Sequence, residues 1–211
     1  MNPKSLCYVF GAGTPPAAPP AIPAEALVVA ADGGFAYTKS VGIAADVVIG
    51  DFDSLEGVGQ GGIRSPQIIR LPIQKDETDM LAALKHGLGE GCTVFHIYGG
   101  TGKRLDHTLA NIQCLTFLVN RGARGYLYDN DTVVTVMAGE TKLEKRAKGV
   151  ISVFAIGGPA EGVCLRGLRY GLEDARLTGE FPLGVSNEFI GKAAYIKVER
   201  GTLLLVYPRV L

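Results

Sequence analysis

The sequence predicts an α/β domain followed by a small all-β domain, and three observations lead to this fold class. Short, fully apolar runs in the first half are typical of strands that are buried on both faces of a parallel sheet. They alternate with segments whose apolar residues recur at helical spacing. After about residue 130 the alternation stops, and short strand candidates separated by glycines suggest a β-sandwich. We therefore expect an α/β domain over residues 1–130 and a β-sandwich over residues 131–211.

The first half contains six predicted strands and three predicted helices. The strands are Leu6–Phe10, Ala26–Ala31, Asp46–Ile49, Ile68–Leu71, Thr93–Tyr98 and Tyr126–Tyr128. The helices are Gly34–Val41, Asp79–Leu88 and Leu105–Val119. The last of these carries one stripe at 3.6-residue spacing, formed by Leu105, Leu109, Ile112, Thr116 and Val119. Strands that alternate with helices form a mostly parallel sheet with helices on both faces.

The second half contains strand candidates and no convincing helix. The predicted strands are Thr132–Met137, Gly149–Ile156, Val163–Leu168, Ala193–Val198 and Leu203–Tyr207. The segment Glu199–Thr202 is predicted to form a hairpin turn between the last two strands.

Composition excludes several classes of protein. The 47% hydrophobic and 20% charged residues are an ordinary globular mixture, which excludes a disordered chain. The formal net charge is zero, which argues against a nucleic-acid partner. No apolar run approaches the roughly 18 residues that span a bilayer, so we expect no membrane partner. The four cysteines lack zinc-site spacing, and we expect reduced thiols in a cytoplasmic protein.

Acidic side chains follow three of the predicted strands. Asp32 follows the second strand, Asp51 and Asp53 follow the third, and Asp76 and Asp79 lie just beyond the fourth. In an open α/β sheet, ligands bind in the crevice beyond the carboxyl ends of the strands. Carboxylates at i and i+2 of an extended chain share a face, so Asp51 and Asp53 could hold one cation, and their hard oxygens suit Mg²⁺. Each loop taken singly could instead be a turn or, at Asp76–Asp79, a helix cap.

A fourth loop, Gly99–His107, combines glycines with positive charge at the start of the longest helix. Glycine lets backbone N–H groups approach phosphate oxygens, and a helix N-terminus favours anions. Lys103 and Arg104 add positive charge where a polyphosphate would lie. The loop is not a Walker A motif, because Ile97 and Arg104 stand where that motif needs Gly and Ser or Thr. The segment Gly11–Pro16 likewise lacks the third glycine of a dinucleotide fingerprint.

Five strings together resemble the thiamine pyrophosphokinase (thiamine diphosphokinase) family, in the family's order and over almost the whole chain. They are Ala31-Asp32-Gly33-Gly34, Gly50-Asp51-Phe52-Asp53-Ser54, Lys75-Asp76-Glu77-Thr78-Asp79, Gly99–His107 and Ser186-Asn187-Glu188. The second and third strings, about 20 residues apart, form the most specific pair. The resemblance implies an ATP:thiamine diphosphotransferase, a Mg²⁺-dependent kinase of thiamine diphosphate biosynthesis that releases AMP. It also implies a homodimer whose active sites form between chains.

The resemblance also implies a role for each matching residue. Asp51, Asp53 and Asp79 would hold Mg²⁺, with Asp76 beside it as a candidate base. Contacts to ATP would come from Asp32, Gly33, Gly34, Thr78, Gly102, Lys103, Arg104, Asp106 and His107. Thiamine would meet Gln74 together with Ser186 and Asn187 of the other chain. The chain has no Trp, so aromatic stacking on thiamine would come from Phe or Tyr.

Two other functions fit parts of the pattern. The Asp cluster also suits a metal-dependent phosphohydrolase, which would activate water instead of a substrate hydroxyl. A non-catalytic sensor of thiamine or a nucleotide would bind its ligand without forming product, but a thiamine sensor has no need of the phosphate contacts that Lys103 and Arg104 would make.

Overall fold

A computed structural model describes residues 5–51, 67–72, 74 and 76–209, and the chain divides into two compact units. One unit comprises Met1–Cys114 and Leu127–Asn130, and the other comprises Leu115–Tyr126 and Asp131–Leu211. Within the described ranges, no helix has both the length and the apolar character needed to cross a membrane.

The first unit is built on a parallel sheet. Its strands are β1 (Leu6–Phe10), β2 (Leu27–Ala31), β3 (Val47–Gly50), β4 (Gln67–Arg70) and β5 (Val94–Tyr98). They lie side by side in the order β5-β1-β2-β3-β4. Every adjacent pair in that order is parallel. The predicted α/β architecture is thus confirmed.

Burial explains why these segments are strands and where the core lies. Every residue of β3 is buried, as expected of a strand inside a parallel sheet. Strand β4 lies at the edge, and Ile68 is 38% exposed there. Three helices accompany the strands: α1 (Gly34–Ser40), α2 (Asp79–Gly89) and α3 (Leu105–Val119). A methyl group on Gly87 of α2 would lie 2.6 Å from the Phe95 ring, so this glycine lets α2 approach β5 closely.

The bounds of α3 match the prediction, but the apolar stripe that indicated this helix is not the face that the helix buries. Leu105 and Leu109 are 74% and 56% exposed. The buried face of α3 is formed by Asn111, Cys114, Leu115 and Leu118. These residues also recur at helical spacing, and the apolar pattern of α3 is wide enough to fit either face.

The second unit is rich in β-structure, as predicted. Strand β6 (Arg124–Tyr128) follows α3, and the later strands are β7 (Thr132–Leu143), β8 (Val150–Arg166), β9 (Leu172–Leu177), β10 (Gly184–Glu188) and β11 (Ala194–Pro208). Strands β10, β8, β11 and β7 are adjacent in that order, β9 pairs with β8, and these pairs are antiparallel. Packing of these strands as a sandwich stays a prediction.

Two predicted interruptions in this unit are wrong. The segment Glu199–Thr202 is not a hairpin turn but part of the continuous strand β11, and two predicted strands merge into β8. The register shifts along both strands, and Gly157 and Gly201 have φ values of +75° and +91°. Glycines in this conformation accommodate bulges, which bend a strand without ending it. The sequence does not predict strands β9 and β10, because their residues carry no run of apolar side chains.

Candidate active site

A cavity of about 310 Å³ lies beyond the carboxyl ends of β1, β2 and β5. The start of α2 and the first turns of α3 complete its wall. Its lining residues are Gly11, Ala12, Gly13, Ala31, Asp32, Thr78, Asp79, Met80, Gly99, Gly100, Thr101, Gly102, Lys103, Arg104, His107 and Asn111. The sequence-predicted residues Asp32, Thr78, Asp79, Gly102, Lys103, Arg104 and His107 are therefore brought together.

The strand order explains why the cavity is at this place. From β1 the chain runs to β2, β3 and β4 on one side, and then β5 pairs with β1 on the other side. The connections after β1 and β5 therefore leave the sheet in opposite directions and open a crevice between them. Ligands of open α/β sheets bind at such a switch point.

The loops that follow β1 and β5 are bonded directly to each other. The Gly13 amide donates to the Gly99 carbonyl at 2.7 Å, and the Thr14 amide donates to the Thr101 carbonyl at 2.8 Å. A methyl group on Gly13 would lie 2.3 Å from the Thr101 carbonyl oxygen. Only glycine fits this approach, so the first loop is part of the site although it lacks a dinucleotide fingerprint.

Lys103 connects the same two loops through its side chain. Its ammonium group donates to the Ala12 carbonyl at 2.8 Å. Its backbone has a φ of +49°, which is uncommon for a residue other than glycine. The adjacent Gly102 also has a positive φ, of +73°, and the turn of the chain there places Lys103 and Arg104 at the cavity.

Arg104 and Asp106 form an exposed ion pair at the start of α3. The guanidinium donates to the two carboxylate oxygens at 3.1 and 2.6 Å. The hydrogen bond from Arg104 is the main cause that lowers the pKa of Asp106 to about 2. Asp106 is thus an anion at neutral pH that orients Arg104, and it is Arg104 that lines the cavity.

Two side chains support the glycine turn of residues 99–102. The buried side-chain amide of Asn111 donates to the Gly100 carbonyl at 2.7 Å. The hydroxyl of Thr101, itself buried, donates to Oδ1 of Asp129 at 2.8 Å. The turn is therefore fixed by side chains as well as by the loop after β1.

Asp32 lines the cavity together with Asp79. It follows β2 with a φ of +47°, and its amide donates to the Ile49 carbonyl at 2.8 Å. Its Oδ1 is buried and has no hydrogen-bond partner among the described residues. A buried carboxylate oxygen without a partner is costly, and a bound donor or cation would satisfy it.

Thr78 and Asp79 begin α2 at the same cavity. Thr78 is the N-cap of the helix, and its hydroxyl oxygen accepts from the Leu81 amide at 3.2 Å. The segment Asp76–Asp79 therefore does cap the helix, through Thr78 and not through an aspartate. The hydroxyl hydrogen of Thr78 remains a donor, and the Asp79 carboxylate lies in the first turn, where the helix dipole favours an anion.

Several other predicted residues are not among those that line the cavity. Asp51 is half-buried directly after β3, and Asp76 and Gln74 are exposed. Gly34 is a packing residue, since a methyl group there would lie 1.9 Å from the Phe10 carbonyl oxygen, whereas one on Gly33 would lie 3.1 Å from Cβ of Ala12. Their roles toward ATP, the metal and thiamine stay predictions. Asp53 lies outside the described residues.

The carboxylates present fit a hard divalent cation by donor type. Gly50, the residue before Asp51, lies against Asp32, since a methyl group on it would be 3.3 Å from the Asp32 Cα atom. Asp32 and Asp79 share the cavity. In the part of the chain that the structure describes, no three His, Cys, Asp or Glu side chains cluster as metal ligands. The predicted ligand set includes Asp53, which is not in that part, so this set stays a prediction.

Ser186 and Asn187 belong to β10 in the second unit. The Asn187 side chain is buried and is bonded twice to the backbone of Tyr170. It donates to the Tyr170 carbonyl at 2.6 Å and accepts from the Tyr170 amide at 2.9 Å. Ser186 is exposed and has a φ of +58°. The Asn187 amide thus shapes the strand, whereas the Ser186 hydroxyl is presented to solvent.

Sequence reasoning missed Gly11–Gly13 and Asn111 as lining residues. The first group carried a usable signal, because it follows a strand at the same edge of the sheet as Asp32. Asn111 carried a weaker one: it is a polar residue one turn after His107, on the same face of α3.

Two family models match this chain. Residues 20–127 match the thiamin pyrophosphokinase catalytic domain, and residues 140–203 match the thiamin pyrophosphokinase vitamin B1 binding domain. A curated relative, the thiamine pyrophosphokinase of Bacillus subtilis (strain 168), is 29% identical over 184 residues, which is 85% of this chain and 86% of the relative.

Solved structures give the same result for the fold. The crystal structure of the Bacillus subtilis thiamine pyrophosphokinase superposes with a TM-score of 0.85 at 25% identity, over 98% of this chain and 100% of that one. The enzyme from Geobacillus thermodenitrificans superposes with a TM-score of 0.83 at 22% identity, over 97% and 98% of the two chains. Since the catalytic-domain model alone spans more than half of the sequence, and the second model follows it in order, the chain belongs to the thiamin pyrophosphokinase family.

Proposed function

We propose that this chain transfers the pyrophosphoryl group of ATP to the hydroxyl of thiamine, giving thiamine diphosphate and AMP. The observation that carries the proposal is the cavity at the switch point. There a glycine turn with Lys103 and Arg104 lines the same cavity as Asp32 and Asp79. Cationic groups and backbone amides suit a polyphosphate, and carboxylates suit the cation that accompanies it.

The reaction needs positioning and charge neutralisation more than covalent help from the protein. The thiamine oxygen attacks the β-phosphorus, the bond from that phosphorus to the α,β-bridging oxygen breaks, and AMP leaves with that oxygen. Lys103 and Arg104 stabilise negative charge on the phosphates, with Asp106 orienting Arg104. Gly102, Thr78 and His107 complete the phosphate and nucleotide contacts, and Gly33 and Gly34 fix the backbone beside Asp32.

Asp51, Asp53 and Asp79 would hold Mg²⁺, and Asp32, which lines the same cavity as Asp79, would contact ATP. When bound, Mg²⁺ would neutralise phosphate charge and orient the β-phosphoryl group. Asp76 is the proposed acceptor of the thiamine proton. An acidic crevice also attracts thiamine, which is itself a cation.

The second unit would bind thiamine and form a homodimer, with Ser186 and Asn187 of one chain facing Gln74 and the acids of the other. Exposed apolar side chains of this unit support a partner surface: Val150, Tyr170, Phe181, Leu183, Val185 and Ile190 are each at least 40% exposed. Contiguous patches of exposed apolar side chains mark interfaces with partners, and these six residues all belong to the same unit.

The test is to incubate the purified protein with ATP, Mg²⁺ and thiamine and to identify the nucleotide product. The expected products are AMP and thiamine diphosphate in equal amounts. ADP as the sole nucleotide product would contradict the proposal by indicating transfer of a single phosphoryl group. Phosphate released without thiamine would indicate a phosphohydrolase, and tight binding without product would indicate a sensor.

A further inference from the structure

We propose that Asn111 is a positioning residue for the phosphate-binding turn, and that it acts on the nucleotide through Lys103. The inference rests on the proposed function, which assigns the nucleotide to this cavity. It concerns a buried side chain on α3 whose amide reaches the carbonyl of Gly100, in the turn that precedes the helix.

Asn111 is built into the site. Its side chain is 7% exposed, it lines the cavity, and its Nδ2 donates to the Gly100 carbonyl at 2.7 Å. A methyl group on Gly100 would lie 3.3 Å from that nitrogen and 2.5 Å from Cδ1 of Leu127. The turn at Gly100 therefore packs directly against the Asn111 side chain, and the hydrogen bond fixes the distance between the turn and α3.

The turn that Asn111 fixes at Gly100 is followed three residues later by Lys103. Between Gly100 and Lys103 the chain passes through Gly102 at a φ of +73°, and Lys103 itself has a φ of +49°. A left-handed conformation is unfavourable for a residue with a side chain, so it persists only where its surroundings hold it. The hydrogen bond from Asn111 fixes the backbone at Gly100, and the hydrogen bond to the Ala12 carbonyl fixes the Lys103 ammonium group.

A purely structural role for Asn111 predicts a different result. Loss of a buried hydrogen bond would then lower the stability of the protein and leave nucleotide affinity unchanged once the protein is folded. A direct contact from Asn111 to the nucleotide would instead weaken binding independently of Lys103. Positioning through Lys103 predicts that the effects of the two residues are not additive.

The test compares Asn111→Leu, Lys103→Gln and the double variant with the wild type. Leucine has a similar shape and adds no charge beside the phosphates. The control is Asn120→Leu, at an exposed asparagine just after the same helix. The Kd of ADP is measured by calorimetry with Mg²⁺ and without thiamine, together with the Tm and the KM values for ATP and thiamine.

We expect Asn111→Leu to raise the Kd of ADP about tenfold and the KM for ATP in parallel, with the KM for thiamine unchanged. In the Lys103→Gln background, the same substitution should raise the Kd less than about twofold. Full additivity, or an unchanged Kd in folded Asn111→Leu, would overturn the proposal. If that variant does not fold, Asn111→Ser is read by the same criteria.

The outcomes for the two proposals are separable. If the wild type binds ADP but releases no AMP from ATP and thiamine, the proposed function fails and the comparison of Kd values still decides the role of Asn111. If the wild type binds no ADP but releases AMP from ATP and thiamine, the role of Asn111 is overturned and the proposed function stands.

Discussion

The amide of Gly13 donates a 2.7 Å hydrogen bond to the carbonyl of Gly99, and this bond joins the loops that follow β1 and β5. The two strands are parallel neighbours, yet their loops leave the sheet toward opposite sides. The bond therefore closes the wall of the cavity at the point where the strand order reverses.

The first prediction concerns Gly13→Ala. The new methyl group would lie 2.3 Å from the Thr101 carbonyl oxygen and 2.6 Å from that of Gly99, so the two loops must separate. We expect the KM for ATP to rise at least about tenfold, since the loop that receives the Lys103 ammonium group moves. Steady-state kinetics at saturating thiamine measures this.

Gly89→Ala is the matched control. A methyl group on Gly89, the last residue of α2, meets no atom within 4 Å, and alanine favours a helix over glycine. We expect unchanged kinetics and equal or higher thermal stability. If the Gly13→Ala enzyme has the same kinetics as the control, the close approach of the two loops is not needed for ATP binding.

The sequence could predict the parallel sheet because burial on both faces produces runs such as those of β2 and β3. It could also predict that Asp32 and Lys103 lie at one edge of the sheet, because the loops that follow parallel strands share that edge. It could not predict that β11 continues through Gly201, because a glycine with positive φ serves a turn and a bulge equally well. Nor could it predict the partner of Asn111, which is a backbone carbonyl that any sequence would supply.

The second prediction concerns Asp32→Asn. Asparagine keeps the shape of the side chain and tolerates the φ of +47°, but it removes the negative charge and one acceptor oxygen. We expect turnover to fall about 100-fold while the fold is retained, because a carboxylate that lines the cavity, with one oxygen buried, is lost. Turnover and far-ultraviolet circular dichroism measure the two effects.

Asp174→Asn matches that substitution closely, because Asp174 is exposed and has a φ of +49°. It should leave turnover unchanged. Equal activity in the two variants would remove Asp32 from the site.

The third prediction concerns Ser186→Gly. Glycine removes the hydroxyl that would contact thiamine, and it also relieves the left-handed conformation at a φ of +58°. We expect the KM for thiamine to rise about tenfold, with the KM for ATP unchanged and the stability equal or higher by up to about 1 kcal/mol.

Asp174→Gly relieves a similar backbone conformation outside β10, and it should change stability without changing either KM. If Ser186→Gly behaves in the same way, its hydroxyl does not bind thiamine.

The fourth prediction concerns His96, which stacks on Tyr8 with ring centroids 4.7 Å apart and whose Nδ1 is 2.8 Å from the Tyr128 hydroxyl. Burial lowers the pKa of His96. The unfolded chain, with a His pKa of about 6.5, therefore takes up the proton first as the pH falls. The contribution of His96 to stability is complete above that pH and is lost as the pH falls toward the lowered folded value.

We expect the free energy of unfolding of the wild type to fall between pH 7 and pH 5 more steeply than that of His96→Phe. The difference is at most about 1.4 kcal/mol per pH unit, the value for one proton. Urea unfolding at several pH values measures it, and parallel slopes for the two proteins would contradict the prediction.

The last prediction tests whether the active site forms between chains. Asp51→Asn removes a proposed metal ligand, and Ser186→Arg places a bulky cation where cationic thiamine would bind, so each homodimer should be inactive. If Asp51 of one chain works with Ser186 of the other, a mixed dimer holds one site with both defects and one intact site. Co-expression of the two variants should then restore about a quarter of the wild-type activity, since about half of the dimers are mixed. Activity that stays at the level of the separate variants, in a preparation where mixed dimers are verified by mass spectrometry, would place both residues in a site formed by a single chain.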